Sequence, residues 1–464
     1  MVANRLGRMI RYVQAWRPDS PDSPLDVSPD LSDSDQRRLA RNIDQAIDAR
    51  GGEVAARRKA ELVAHTVEGL SPTGRRRFNE LLATHYDTDF DEVRARARDL
   101  LEHDHDRHEA EANLRAALNP PRLRLLRRLA GMGGGPSFLV KLREDLIGYR
   151  SESPELRSLD RDLKALLETW FDVSLLTLER ITWESPAALL ERLIAYEAVH
   201  AIESWDDLKG RLGAARRLYG FLHPAMPDDP LIFVEVALTD GVADSLPVLL
   251  DHSSERIDPG KADTAIFYSI SNCHRGLAGV SLGDLLIKSV VELIMEELPN
   301  IQQFATLSPL PGFRHWLQTT DIASQLGGAE DTVLDETEAE KLNQMAETVR
   351  ALVADPLPSE ADERLVTAKP TLTRLAAQYL TQQRPDGRVI DPVAHFHLSN
   401  GASIDRLNWW ANPSETGWDR GLSLMVNYRY DRRRIERNHD HYASGAGPIT
   451  SDTIARLVSR PAKM

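Results

Sequence analysis

The spacing of apolar residues changes character partway along this chain, and that change constrains the fold more than any single motif. Up to about residue 182 the apolar positions recur three and four apart, the period of a helix with one buried stripe. Gln36 to Arg50, Arg57 to Leu70, Thr73 to Thr84 and the very charged stretch Asp91 to Leu118 read this way. So do Leu123 to Ala130, Phe138 to Tyr149 and Leu159 to Phe171. Asn119-Pro120-Pro121 interrupts the series, because the residue before a proline is pushed out of the helical region. Few β-branched runs occur here, so an all-helical bundle is expected over residues 1–182.

From Trp183 onward strand-like runs alternate with helices. Leu231 to Leu238 (LIFVEVAL) and Thr264 to Ser271 (TAIFYSIS) are rich in β-branched and aromatic residues. Phe304 to Leu307, Ser403 to Trp409 and Ser423 to Tyr430 read as further strands. Gly283 to Leu298 is amphipathic, with Leu286, Val290, Leu293 and Ile294 at helical spacing. Gly328 to Ala354 and Glu363 to Gln382 read as helices inserted around residues 321–385. Alternating strands and helices give an α+β or α/β domain. At 464 residues the chain exceeds one ordinary core, so two domains are expected, 1–182 and 183–464.

Charge and cysteine content narrow the setting. The net charge is -14 and the pI about 5.5, which argues against nonspecific nucleic-acid binding. A single cysteine, Cys273, excludes a disulfide within the chain and fits a reducing compartment. No apolar run is long enough to span a bilayer, so no membrane association is expected. The start, MVANRLGRMIRYVQAW, turns acidic at Asp19 and is read as a mature helix rather than a transit peptide. The end lacks a Ser-Lys-Leu tail. A cytoplasmic protein is expected.

Three segments carry candidate chemistry. After the strand Thr264 to Ser271 comes a small-residue loop, Asn272 to Ser281, and then a helix. Free N–H groups and the helix dipole at such a junction suit a phosphate; an ordinary tight turn fits the glycines equally well. In Phe304-Ala305-Thr306-Leu307-Ser308-Pro309-Leu310-Pro311-Gly312-Phe313 a rigid turn follows a strand, and Ser308 stands at its exit. Its hydroxyl can face a cleft or bond its own turn. In Phe396-His397-Leu398-Ser399-Asn400-Gly401-Ala402, His397 precedes an Asn-Gly turn signal, and pattern alone fits a structural histidine as well as a catalytic one. Two histidine clusters look like metal bait. His103, His105 and His108 do not share one helix face, and His439 with His441 lack a third ligand, so no metal site is assigned.

Together these segments resemble the malonyl-CoA decarboxylase family. The resemblance rests on TAIFYSIS, GLAGVSLGDLLIKSVV, TLSPLPGF, FHLSNGA, RLNWWA and LMVNYRY, with LERITWESP and EAVHAI before them. It runs from about Trp183 to Tyr430 and more loosely over the helical half. It implies a GNAT-like, mixed-sheet catalytic domain behind the helical one, which would serve oligomerisation. Ala278, Gly279, Val280, Ser281, Leu282, Gly283 and Asp284 fall where the family holds the CoA pyrophosphate. The family's catalytic serine falls on Ser308, as proton acceptor and orienting group, and its catalytic histidine on His397, as proton donor. A homotetramer built from dimers is implied, with no metal, biotin or pyridoxal cofactor. Where animal members have serines before Leu-Ser-Pro this chain has Ala305 and Thr306, so Thr306 is a possible hydroxyl partner. Tyr268 and Tyr428 are candidate supporting hydroxyls, with core packing the alternative, and His200 is a weaker candidate. Two other functions share the CoA loop: a GNAT-like N-acyltransferase and a non-catalytic CoA-binding scaffold.

Overall fold

The computed structural model describes residues 24–49, 51–102, 106–251, 258–280, 283–327 and 336–459. The first residues, read above as a helix, lie outside these. Two compact units are present. The first holds the helices up to Leu176, with His223–Pro227 and the loop that begins at His274. The second holds Thr177–Leu222, Asp228–Cys273 and the chain from Gly283 on.

Serines start several helices of the first unit. Ser32 accepts from Asp35 N ahead of Asp33–Asp48, and Ser71 accepts from Gly74 N ahead of Pro72–His85. Ser153 accepts from Leu156 N ahead of Pro154–Trp170. Proline directly after two of these caps is pre-set for the first turn. Helices Glu53–Glu68, Arg122–Ala130 and Gly135–Ile147 complete the packed part. Leu156, Leu159, Leu163 and Leu167 form one buried stripe, as their spacing requires. The charged stretch from Asp91 is two helices, Phe90–Glu102 and Arg107–Ala117. The first of them buries no residue, which is why its composition is so polar.

Two buried arginines tie this unit together. Arg122 is fully buried; its Nε lies 2.7 Å from Asp162, its Nη1 2.7 Å from Asp87, and its Nη2 donates to Ser158 Oγ at 2.9 Å. Arg143 donates to Asp160 at 2.9 Å and to the Gly276 carbonyl at 2.7 Å. Through Arg143 the loop from His274 is fixed to the helices, whereas the division expected at Trp183 put it with the sheet.

The second unit is built on a sheet with strand order β1-β2-β3-β4-β5-β8-β6, and β7 also pairs with β8. The strands are β1 (Thr177–Ile181), β2 (Arg216–Leu222), β3 (Ile232–Thr239), β4 (Thr264–Asn272) and β5 (Gln303–Thr306). Then follow β6 (Ser308–Pro309), β7 (Ser403–Asn408) and β8 (Met425–Arg429). Neighbours from β1 to β4 are antiparallel, β4 and β5 are parallel, and β8 is antiparallel to β5, β6 and β7. The parallel pair needs a crossover, which the helix Gly283–Glu297 supplies. Continuous apolar runs in β3 and β4 reflect burial on both faces. This is the mixed-sheet domain that the resemblance implies. Between β6 and β7 the described residues include the helices Phe313–Thr319, Glu336–Ala354, Glu363–Thr381 and Pro392–Ser399; the start of the helix expected from Gly328 lies outside them.

β1 and β2 are absent from the sequence reading. β1 is a largely exposed edge carrying Glu179 and Arg180, and β2 opens with Arg216-Arg217 and contains Gly220, so neither shows an apolar run. β1 also places the start of the sheet ahead of Trp183. Beneath the sheet, Arg211 Nη1 is 3.3 Å from both oxygens of fully buried Glu235. Burial pushes the Glu235 carboxyl up to about 8, against the pull of Arg211.

Replacing Arg122 by methionine removes the cation between two carboxylates and should cost about 3 kcal/mol. The midpoint of urea denaturation should move to lower concentration, and an unchanged midpoint would contradict this role for Arg122.

Candidate active site

β5 ends at Thr306, and Ser308 follows two residues on, where an extended chain returns its side chain to the same side. Asp391 starts the helix Pro392–Ser399, accepting from Ala394 N at 2.7 Å, and His397 lies in that helix's last turn. β8 and its end contribute Tyr428 and Tyr430, again two apart and on one side. These elements bring Ser308, His397, Thr306, Tyr428 and Tyr430 together.

Their polar atoms form one chain of contacts. Ser308 Oγ donates to Thr306 Oγ1 at 2.9 Å. With its hydrogen committed there, Ser308 accepts from His397 Nε2 across 3.1 Å. His397 Nδ1 is then the acceptor for the Tyr430 hydroxyl at 2.8 Å. Thr306 Oγ1 also receives the backbone N–H of Tyr428 at 3.1 Å, which fixes it in place. The Tyr428 ring stacks on the imidazole with centroids 4.5 Å apart and planes 29° apart.

Ser308 and His397 line a cavity of about 360 Å³ with mostly apolar walls, among them Phe267, Ile270, Pro309, Val393 and Phe396. His397 is 2% exposed, and burial holds its imidazole down at about 3. The ring is therefore neutral at ordinary pH. Along one wall, β4 carries a bulge: Glu235 pairs with Ser269 and Val236 with Phe267, leaving Tyr268 as the extra residue. A bulge interrupts the ladder and re-aims backbone N–H groups, here beside the cavity.

Not every expected residue joins this group. His200 sits beside Glu197 and Arg211; burial lowers its imidazole to about 4, opposed by the Glu197 charge. Glu197 accepts from Ser269 Oγ at 2.7 Å, Ser271 Oγ at 3.0 Å and His200 N at 2.8 Å. Tyr268 lines the cavity, but its ring belongs to an apolar cluster with Ile266, Leu246 and Met425, and its hydroxyl lies toward Glu235. Tyr428 meets His397 through its ring. The hydroxyl on the imidazole comes from Tyr430, which sequence reasoning missed. The period-two spacing of Tyr428 and Tyr430 signals a shared side without telling which hydroxyl meets the ring.

The loop expected to hold phosphate is described as far as Val280. Ser281 and Leu282 lie outside the described residues, and Gly283 and Asp284 open the helix Gly283–Glu297. Gly279 has φ +79°, the left-handed region that favours glycine. A Cβ there would stand 3.6 Å from Lys164 Nζ, so this ammonium lies against the loop. Lys164 also pairs with Glu168 at 3.3 Å. Of the histidine clusters, His103 and His105 lie outside the described residues, and His439 Nδ1 bonds the Ser399 carbonyl. Among the described residues no group of three or more His, Cys, Asp or Glu is arranged for a metal ion.

His397 binds a proton less readily in the folded chain than in the unfolded one, where its value is near 6.5. Its contribution to stability is therefore present above pH 6.5 and is lost as pH falls toward about 3. In an NMR titration its imidazole should stay neutral from about pH 8 down to about pH 5. A midpoint near the ordinary histidine value would show that the ring is solvated.

Comparison with known proteins identifies the family. The family model described as the malonyl-CoA decarboxylase C-terminal domain matches residues 174–464, and the one for the N-terminal domain matches 86–171. Mitochondrial malonyl-CoA decarboxylase of Anser anser anser is 34% identical over 99% of this chain and 95% of its own. The enzyme of the same name from Rattus norvegicus is 35% identical over 76% of this chain and 74% of its own. The crystal structure of malonyl-CoA decarboxylase from Rhodopseudomonas palustris is 38% identical, with a TM-score of 0.81 over 91% of this chain and 99% of that one. That from Agrobacterium vitis is 34% identical, with a TM-score of 0.80 over 91% and 100%. With both domain models matched in order and relatives aligned over nearly its whole length, this chain belongs to the malonyl-CoA decarboxylase family.

Proposed function

We propose that the chain decarboxylates malonyl-CoA to acetyl-CoA and carbon dioxide, with Ser308 and His397 as its catalytic pair. The observation that carries this reading is the contact between Ser308 Oγ and His397 Nε2 at the wall of a mostly apolar cavity. The substrate supplies its own electron sink. The bond between the carboxylate and the α-carbon breaks, its electron pair enters the thioester enolate, and carbon dioxide leaves uncharged. The enolate carbon then takes one proton. No metal, biotin or pyridoxal group enters these steps.

Three tasks remain for the protein. Negative charge grows on the thioester oxygen, and fixed N–H donors in a water-poor site stabilise it well. The backbone N–H groups at the Tyr268 bulge are the proposed donors. The malonyl carboxylate must be turned so that the breaking bond aligns with the carbonyl π system; with substrate bound, the Ser308 hydroxyl turns its hydrogen from Thr306 to that carboxylate. The enolate carbon takes the Ser308 hydrogen as His397 Nε2 returns one to the serine, and Nδ1 takes the Tyr430 hydroxyl hydrogen in turn, so the ring ends neutral and one proton from solvent restores Tyr430. This keeps Ser308 as orienting group and proton acceptor from the ring, and His397 as donor, with the ring neutral rather than cationic.

The loop around Gly279 is the proposed seat of the CoA phosphates, through Ala278, Gly279 and Val280 and onward to Asp284. Lys164 adds a cation to it from the helical unit. No helix among the described residues is long and apolar enough to cross a membrane. A homotetramer in the cytoplasm completes the proposal, and light scattering on the purified chain tests the assembly.

Incubated with malonyl-CoA and no amine, the wild-type chain should release carbon dioxide and leave acetyl-CoA, which an amine acyltransferase or a CoA-binding scaffold would not do. Ser308→Ala and His397→Asn should each lower turnover by about 100-fold with folding intact. Wild-type rates in both would reject the pair. Lys164→Met should raise KM about tenfold for malonyl-CoA, the scale of one charged contact, and leave malonyl-pantetheine unaffected. An equal effect on both substrates would detach Lys164 from phosphate.

A further inference from the structure

The two proposed catalytic residues come from different segments, and one side chain touches both segments. Ser308 leads into Pro309-Leu310-Pro311-Gly312, a turn stiffened by two prolines. His397 lies at the far end of the short helix that Asp391 starts. Tyr379 belongs to neither; it comes from the helix Glu363–Thr381. Its hydroxyl donates to Asp391 Oδ2 at 2.8 Å, and the same oxygen occupies the space that a Cβ on residue 312 would need.

From these contacts we infer that Tyr379 is a positioning residue that sets the separation of Ser308 and His397, an inference that rests on the catalytic pair proposed above. Each arm is stiff. Asp391 is fully buried; Oδ1 accepts the helix N–H of Ala394, so the carboxylate and the helix start move as one. Six residues of helix from Asp391 to His397 form a rigid arm of about 9 Å. On the other side glycine at 312 lets the hydroxyl approach the backbone of the Ser308 turn. The Tyr379 ring is itself wedged against Phe313 and Trp316, with centroids 5.6 and 5.5 Å away. Trp316 Nε1 in turn donates to Gln382 Oε1 at 2.9 Å, beyond the end of Tyr379's own helix. The hydroxyl is thus a spacer between two catalytic segments, held from behind by aromatic packing.

Tyr379→Phe keeps the ring and its packing and removes only the spacer oxygen and the donor on Asp391. An ångström of misplacement between reacting groups is enough to slow catalysis by about 100-fold. The expected result is a fall in kcat of about tenfold or more, with KM for malonyl-CoA changed less than about twofold. Gly312→Ala, which displaces the hydroxyl without deleting it, should do the same. The His397 imidazole nitrogen shifts should move in both variants, reporting an altered Nε2 contact. A role in stability alone predicts something else: a lower melting temperature, with kcat per folded molecule and the His397 shifts as in wild type. That result, or wild-type kcat in Tyr379→Phe, overturns the inference. The nitrogen shifts need no turnover, so they decide the question even if the wild-type chain fails to release carbon dioxide, which would instead sink the proposed function.

Discussion

A buried imidazole is tolerable only while it is neutral and bonded at both nitrogens, and the site is arranged around that requirement. Water is kept from His397 by the apolar cavity wall and by the Tyr428 ring on its face. Both ring nitrogens are then served from within, Nε2 by Ser308 and Nδ1 by Tyr430. Because the serine's hydrogen goes to Thr306, the direction of every bond in the chain is fixed. The burial that holds the ring neutral also strengthens any dipole aimed at a developing oxyanion. One physical condition therefore governs both the tautomer and the electrostatic environment of the reaction.

β8 is the element on which this condition depends. It meets β5, β6 and β7, so three short strands share one backbone. Tyr428 and Tyr430 come from this strand and its end, and its backbone anchors Thr306. Asn427, immediately before Tyr428, donates to the Thr306 carbonyl at 2.7 Å and receives a bond from Asn408 at 2.8 Å. Buried side-chain amides there stand in for ladder bonds where the sheet is broken between β5 and β6.

Much of this was legible in the sequence, for identifiable reasons. Helices with caps and a single stripe, such as Pro154–Trp170, write their period into the chain. The long buried strands β3 and β4 announce themselves as apolar runs. β1 and β2 do not, because an exposed edge and a strand headed by arginines carry no such pattern. Ser308 and His397 were visible only as motifs of a family, since a serine in a turn and a histidine among apolar residues are locally ordinary. Their partners divide instructively. Thr306 was within reach because it precedes Ser308 by two in an extended segment. Tyr430 was not, because strand periodicity says that Tyr428 and Tyr430 share a side but not which of them presents its hydroxyl. The loop at Gly279 read correctly as a turn before a helix, yet Lys164 lies far off in sequence and gives no local sign. The attachment of that loop to the helical unit through Arg143 is likewise a tertiary fact.

The helical stretch between β6 and β7 separates Ser308 from His397 by 89 residues of chain. Closing so long a loop is entropically unfavourable until the intervening helices have formed and packed. Contacts of that range are made late when a chain folds. The hairpins of β2, β3 and β4 join residues much closer together and can assemble earlier. A nascent or partly unfolded chain would then own most of its sheet while lacking the pair altogether. The Ser308–His397 contact in this architecture is a property of the finished molecule, and its appearance would mark the last long-range step of folding.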